Sequence, residues 1–319
     1  HRAGRSGVLA KEARNTGVDG KDDSTEAKAG ASPIRRWTLR ILPAVIAVCA
    51  SIWWISGAGV MALLRGCRIG PMAVGMALQV GATMILGLRW RTVLESVGAS
   101  PLPTRRAATI LSLRAQAAVV LAPGGIGVDV LRGFEAGYGQ QMVGRLTKVA
   151  ILERFAGAGV LSMIGFASAL PLLMPRWGGL LAASLAGLFI VIVLRPGSLN
   201  IAGVRLKLRP VLGWTIVNHI LALGGLASGI AATGVHATAT TLISIAAVAA
   251  FAAMLPVSFN GYGVRELALA VLAPGLGLDA RRLAASGLVA STILLAGVLI
   301  AALAARMVPT GGEKAATRD

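Results

Sequence analysis

Apolar residues run in blocks along this chain, and basic residues mark most of the gaps between them. The blocks at 37–57, 72–88, 149–173, 180–194, 211–233 and 283–307 read as six membrane spans, since a spanning helix needs about 20 mostly apolar residues. Two further runs, 240–254 and 267–276, are too short to span. They flank Leu255-Pro256-Val257-Ser258-Phe259-Asn260-Gly261-Tyr262-Gly263-Val264-Arg265-Glu266. Proline and glycine break a helix there, and charges at membrane depth are costly unless paired or lining a cavity. The pattern predicts a re-entrant hairpin, two half-helices that meet at a polar tip.

A weaker copy stands earlier, Leu121-Ala122-Pro123-Gly124-Gly125-Ile126-Gly127-Val128-Asp129-Val130-Leu131-Arg132. Its limbs are 107–121 and 129–138, and Gly125-Ile126-Gly127-Val128 aligns with Gly261-Tyr262-Gly263-Val264. The order is span, span, re-entrant, span, and then the same again. The expected fold is an all-α polytopic membrane protein with six spans and two re-entrant helical hairpins in an inverted-topology repeat. Interrupted apolar segments at corresponding places in two halves mark the substrate site in transporters. The alternative is that each re-entrant is a full, kinked span.

Composition agrees. Mean hydropathy is +0.75, and only 14% of residues are charged, against roughly 25% in soluble domains. The net charge of +18 comes from 31 Lys and Arg against 13 Asp and Glu. In a soluble protein it would point to nucleic acid. With 4% aromatics and the basic residues in loops, positive-inside topology and anionic head groups account for it instead, and no nucleic-acid partner is expected. Arg89, Arg91, Arg105 and Arg106 mark one cytoplasmic loop, and Arg195, Arg205, Lys207 and Arg209 another. Both termini then lie inside a bacterial-type inner membrane. Domains follow: a disordered cytoplasmic tail over 1–36, one transmembrane domain over 37–307 with inverted halves at about 37–175 and 176–307, and a second tail over 308–319. Cys49 and Cys67 suggest neither a disulfide framework nor a thiolate metal site.

Candidate chemistry sits at the breaks. After the Gly261-x-Gly263 turn, a half-helix N-terminus presents free N–H groups, which suits an anion. Arg265 would add a two-pronged grip on phosphate, or would only close an ion pair with a carboxylate. Asn260 would donate to the same group or cap the helix. Asp129 and Arg132, three residues apart, share a helix face. Glu153 and Arg154 point apart, so pairs of Glu153 with Arg132, or of Asp129 with Arg154, would neutralise both as a gating network or a static one. Arg114 is a head-group contact or a snorkelling arginine. His219, beside Asn218, reads as an interhelical hydrogen bond rather than a proton relay. No nucleotide-binding, metal-ligand or nucleophile motif is present, so no cofactor, metal or catalytic residue is expected.

The glycine-bearing motifs at 123–132 and 255–266, with Glu153-Arg154 between them, resemble the lysylphosphatidylglycerol synthetase transmembrane family over about 37–307. The resemblance implies the family's flippase-like domain, as a stand-alone member without the soluble aminoacyl-transferase domain. The family's second motif has small residues where Phe259 and Asn260 stand here, which bears on the substrate's fit. The function implied is a flippase or scramblase for an anionic or aminoacylated phospholipid. The expected head-group residues are Arg265, Glu266, Asn260, Gly261, Gly263, Gly125, Gly127, Asp129, Arg132 and Arg114, with Glu153 and Arg154 in the gate. The alternatives are an accessory or scaffold subunit for a lipid or glycolipid synthase, a transporter of a polyprenyl-linked lipid, and, more weakly, a lipid-modifying enzyme using Asp129, Glu153 and Glu266. An oligomer is compatible with any of these.

Overall fold

The computed structural model describes residues 59–116, 126–173, 177, 180–181, 184, 188, 198–201, 204–254 and 261–308. The expected tail at 1–36, the span at 37–57, most of the span at 180–194, and the candidates Gly125 and Asn260 lie outside them. The described elements are α1 (Val60–Arg65), α2 (Ile69–Ser96), α3 (Arg105–Ala115), α4 (Ile126–Glu135), α5 (Gln140–Leu173), β1 (Ser198–Ile201), β2 (Val204–Lys207), α6 (Leu208–Ala232), α7 (Ala239–Met254), α8 (Val264–Leu272), a 3₁₀ turn (Pro274–Leu276) and α9 (Ala280–Arg306).

Helices α2, α6 and α9 are long and apolar enough to cross a membrane, with mean hydropathies of 1.6, 1.5 and 2.5 over their most apolar windows. At 1.5 Å per residue, α2 extends about 42 Å, beyond the ~30 Å hydrocarbon core of a bilayer. It runs eight residues past Leu88, the end expected from hydropathy, so Arg89 and Arg91 belong to a helix and not to a loop. Arg91 pairs with Glu95 one turn on, at 2.6 Å, and its Nε donates to the Pro103 carbonyl at 2.9 Å. Those bonds carry the helix out of the apolar zone. The basic segment 195–209, also expected as a loop, holds the antiparallel pair β1–β2, with Ser198 opposite Lys207 and Ile201 opposite Val204. Leu199 and Ile201, then Val204 and Leu206, alternate with polar or small residues on either side of a two-residue connection. That is a hairpin signal, which hydropathy blocks do not reveal.

The long helices meet through small residues. Among the described elements, α2 packs along α6 more extensively than any other two pack. A Cβ on Gly75 of α2 would stand 2.8 Å from the Gly225 carbonyl oxygen of α6, and one on Gly225 would stand 3.0 Å from that of Gly75. Backbones approach this closely in lipid only where side chains are absent. Two apolar cores flank the crossing. One joins Leu223, Ile230, Ile245, Leu269, Leu283 and Leu294 of α6 to α9. The other joins Trp90, Leu94, Leu111, Val143 and Leu146 of α2, α3 and α5.

The contacts between helices fall into matched sets. Exchanging α2 with α6, α3 with α7, α4 with α8 and α5 with α9 carries α2–α3 onto α6–α7 and α3–α4 onto α7–α8. It also carries α4–α5 onto α8–α9, α5–α7 onto α9–α3, and α5–α6 onto α9–α2. The α6–α9 contact has no counterpart of similar extent among the described residues.

Replacing Gly75 by Val is expected to destabilise the protein by about 1–3 kcal/mol, the cost of overpacking. Thermal unfolding in detergent checks it. Gly70→Val, on the same helix where a Cβ meets nothing within 4 Å, is the control expected to stay near wild type.

Candidate functional site

Two charged side chains among the described residues are only 1% exposed, Arg132 on α4 and Glu266 on α8. Arg132 is the larger. Its Nη2 pairs with Asp129, one turn earlier on the same helix. Nη1 donates to the Ser112 hydroxyl of α3 at 2.9 Å and points at the Leu86 carbonyl of α2 at 3.5 Å. The guanidinium also stacks 5.0 Å from the Trp90 ring of α2. The second oxygen of Asp129 accepts from Arg154 of α5 at 3.2 Å. Alongside, Arg89 Nε of α2 lies 3.1 Å from Glu153 Oε1 of α5, near enough to pair but not aligned as a hydrogen bond. Of the two pairings open to the sequence, Asp129 with Arg154 occurs. Glu153 is neutralised by Arg89 instead of Arg132. Sequence reasoning misses Arg89 as a site residue because hydropathy ends the span before it. The buried Glu153 at matching depth is a signal only once α2 and α5 are placed together.

The second charged group lies at the start of α8. Gly261 and Gly263 have φ of +81° and +86°, left-handed values that glycine adopts at little cost. A Cβ at Gly261 would collide with Ala253 of α7, so the chain returns directly against the end of that helix. Gly263 is the N-cap of α8 and has no side chain to cap with. The Glu266 Oε2 supplies the cap from inside, accepting from the Gly263 N–H at 2.6 Å. Its other oxygen accepts from Arg265 Nε at 3.2 Å. Arg265 lies 5.0 Å from the Tyr262 ring. Its Nη2 is buried and makes no hydrogen bond.

Two cavities join these groups. The first, about 230 Å³, is lined by Gln79, Thr83, Gln116, His219, Arg265 and Ser291 among others. The second, about 260 Å³, is lined by Arg89, Asp129, Glu153, Arg154 and Asn218 among others. Both include Gln116, His219 and Ala253 in their walls. Gln79, Thr83, Gln116 and Ser291 carry no distinguishing signal in the sequence, where isolated polar residues in apolar runs look like helix-internal bonding. Thr83 and Ser291 do bond that way, each to the carbonyl four residues before it.

Two of the remaining candidates fall elsewhere. Gly127 sits in the first turn of α4. Arg114, expected either as a head-group contact or as a snorkelling residue, lines neither cavity. Its guanidinium donates to the Ala305 and Val308 carbonyls, at 3.1 and 2.7 Å, at the C-terminal end of α9. Cations are favoured at that end of a helix. His219 lines both cavities and packs on α5, with its Nε2 3.3 Å from where a Gly157 Cβ would stand, near enough to the Gly157 backbone to interact across the helices but not aligned as a hydrogen bond. The described residues hold no group of three or more His, Cys, Asp or Glu able to bind a metal.

Six carboxylates lie within 37–307. Glu95 pairs with Arg91 near the surface, Glu135 is exposed, and Asp279 caps α9 by accepting from the Arg282 N–H. Asp129, Glu153 and Glu266 remain. Among the described residues, four arginines (Arg89, Arg132, Arg154 and Arg265) lie against these three carboxylates.

No protein-family model matches this chain, and no curated protein matches it.

Asp129→Asn removes the carboxylate shared by Arg132 and Arg154. It is expected to cost about 3–5 kcal/mol, as breaking a buried pair does, read by thermal unfolding in detergent. Glu95→Gln, at a partly exposed pair, is expected to cost no more than about 1 kcal/mol.

Proposed function

We propose that the protein is a flippase or scramblase that moves an anionic phospholipid between bilayer leaflets, binding the head group in the two cavities while the acyl chains stay in lipid. The observation that carries this reading is the Arg265 guanidinium: buried, with Nη2 unsatisfied, in the wall of a cavity that abuts the arginine-rich cluster. An arginine offers a planar fork that fits a phosphate. The three apolar helices α2, α6 and α9 supply the membrane setting.

The proposed topology has six spans and two re-entrants. α3 and α4 form part of the first re-entrant, α7 and α8 the second, and the halves are related as an inverted repeat. The matched helix contacts support this, because an exchange of halves is what a repeat produces. The basic loops then face the cytoplasm of a bacterial-type inner membrane, with both termini inside. The resemblance to the lysylphosphatidylglycerol synthetase transmembrane family, through the motifs at 123–132 and 255–266, points to the same activity. An aminoacyl ester of the lipid is a second candidate substrate for the same cavities.

The test is leaflet transfer of fluorescent phosphatidylglycerol, its lysyl ester and a polyprenyl phosphate in proteoliposomes. Arg265→Ala is expected to slow transfer of the preferred lipid about thirtyfold or more, the equivalent of ~2 kcal/mol for removing one partner of a buried charged contact. Arg265→Lys, which keeps the charge and loses the fork, is expected to fall between. No transfer of any of the three by folded wild-type protein would overturn the proposal in favour of an accessory role beside a lipid synthase. Loss of folding in Arg265→Ala in step with loss of transfer would make the residue structural.

A further inference from the structure

The two cavities are separate spaces that abut at three side chains, each from a different helix. Gln116 caps the C-terminus of α3, His219 comes from the middle of α6, and Ala253 lies one residue from the end of α7. Ala253 reaches no further than its methyl group and is held in place by Gly261. Among the described residues, the partition therefore consists of the two polar side chains, Gln116 and His219. Across from it stands Gly157 of α5, in the wall of the second cavity. There the imidazole and the α5 backbone are so close that a methyl group would sit 3.3 Å from Nε2.

His219 Nε2 is buried against the Gly157 backbone of α5, close enough to interact with it but not aligned as a hydrogen bond. A buried polar atom so poorly met gains free energy from a better partner. Gln116 and His219 both offer neutral-type hydrogen-bonding groups at the border of the two cavities, which suit hydroxyl or carbonyl groups.

We infer that His219 and Gln116 form the constriction between the Arg265 cavity and the Asp129–Glu153 cavity, and that it passes a head group by hydrogen bonding to its hydroxyls and limits its size. This rests on the flippase reading for the identity of the cargo, but not for the existence of the constriction. The two can therefore be tested apart. A side chain that narrows a passage and replaces part of the hydration of what goes through it is a familiar selectivity device. His219 is here a specificity-determining residue, distinct from the anion-binding Arg265.

The experiment uses the full chain with Cys49→Ser and Cys67→Ser as background, reconstituted in vesicles of known orientation. Ser291→Cys reports on the first cavity and Asn218→Cys on the second. Each is exposed to a charged, membrane-impermeant methanethiosulfonate reagent from one side and then from the other. With His219 in place, each reporter is expected to react from one face only. His219→Ala is expected to open both reporters to the opposite face, with modification from that side rising about tenfold or more, as removal of a pore constriction does. His219→Gln, similar in reach and still polar, is expected to keep the wild-type sidedness and guards against a folding artefact. Unchanged sidedness in folded His219→Ala protein would overturn the constriction.

The same vesicles carry fluorescent phosphatidylglycerol and the bulkier phosphatidylinositol. His219→Ala is expected to raise phosphatidylinositol transfer relative to phosphatidylglycerol. An unchanged ratio would overturn the size limit. Altered thiol sidedness without movement of any lipid by the wild type would keep the constriction and sink the flippase reading alone.

Discussion

A guanidinium held in apolar surroundings needs partners, and Arg132 finds them on three helices, with only its Nε left unpaired. Asp129 takes one edge, the Ser112 hydroxyl of α3 another, and the Trp90 ring of α2 covers the face. Arg132 stays charged under any realistic condition, so the site cannot relax by losing a proton. The only way to lower its energy is to hold the partners where they are. α2, α3 and α4 are thereby fixed relative to one another, and Asp129 then reaches Arg154 to draw in α5. Apolar packing in a membrane gives little direction to helix association, because lipid is as apolar as leucine. Polar demands of this kind, together with the close Gly75–Gly225 crossing, are what select one arrangement among many.

The group at Arg265 is built on a different plan. There the carboxylate is the adjacent residue, so the pair forms within one turn of helix and ties no distant elements together. Glu266 is occupied twice, by the Gly263 N–H and by Arg265 Nε. The guanidinium is steadied from one side, and its Nη2 has no partner. Arg132 also leaves one nitrogen, Nε, unpaired, but its other groups reach α2 and α3 as well as its own helix. The first arginine ties helices together, and the second is the one to which the proposed function assigns the anion.

Much of this is legible in the sequence. The breaks at Gly261 and Gly263 are readable because proline and glycine close together inside an apolar run interrupt a helix, and both glycines do hold left-handed backbone. Asp129 and Arg132 are readable as a pair because helical spacing puts them on one face. What stays hidden needs the third dimension. Arg89 looks like a topology marker since hydropathy stops at Leu88, whereas the helix continues because Glu153 waits for it on α5. Arg114 looks like a candidate contact because a charge in an apolar run always does. Two of its partners, the carbonyls of Ala305 and Val308, lie far away in sequence and carry no side-chain signature. The β-hairpin at Ser198–Lys207 is lost among basic residues when they are read for their charge alone.

The sharing of Asp129 has a mechanical consequence. Its two oxygens serve two arginines of unequal burial, Arg132 with 1% of its side chain exposed and Arg154 with 38%. An anion entering the second cavity competes with Asp129 for a guanidinium, and it meets the exposed one at the smaller desolvation cost. In the proposed function, Asp129 keeps its pairing with Arg132 when an anion meets Arg154, so the contact that ties α4 to α2 and α3 is not put at risk when the site is filled. In the proposed transport cycle, this asymmetry separates the part of the network that can exchange partners from the part that cannot.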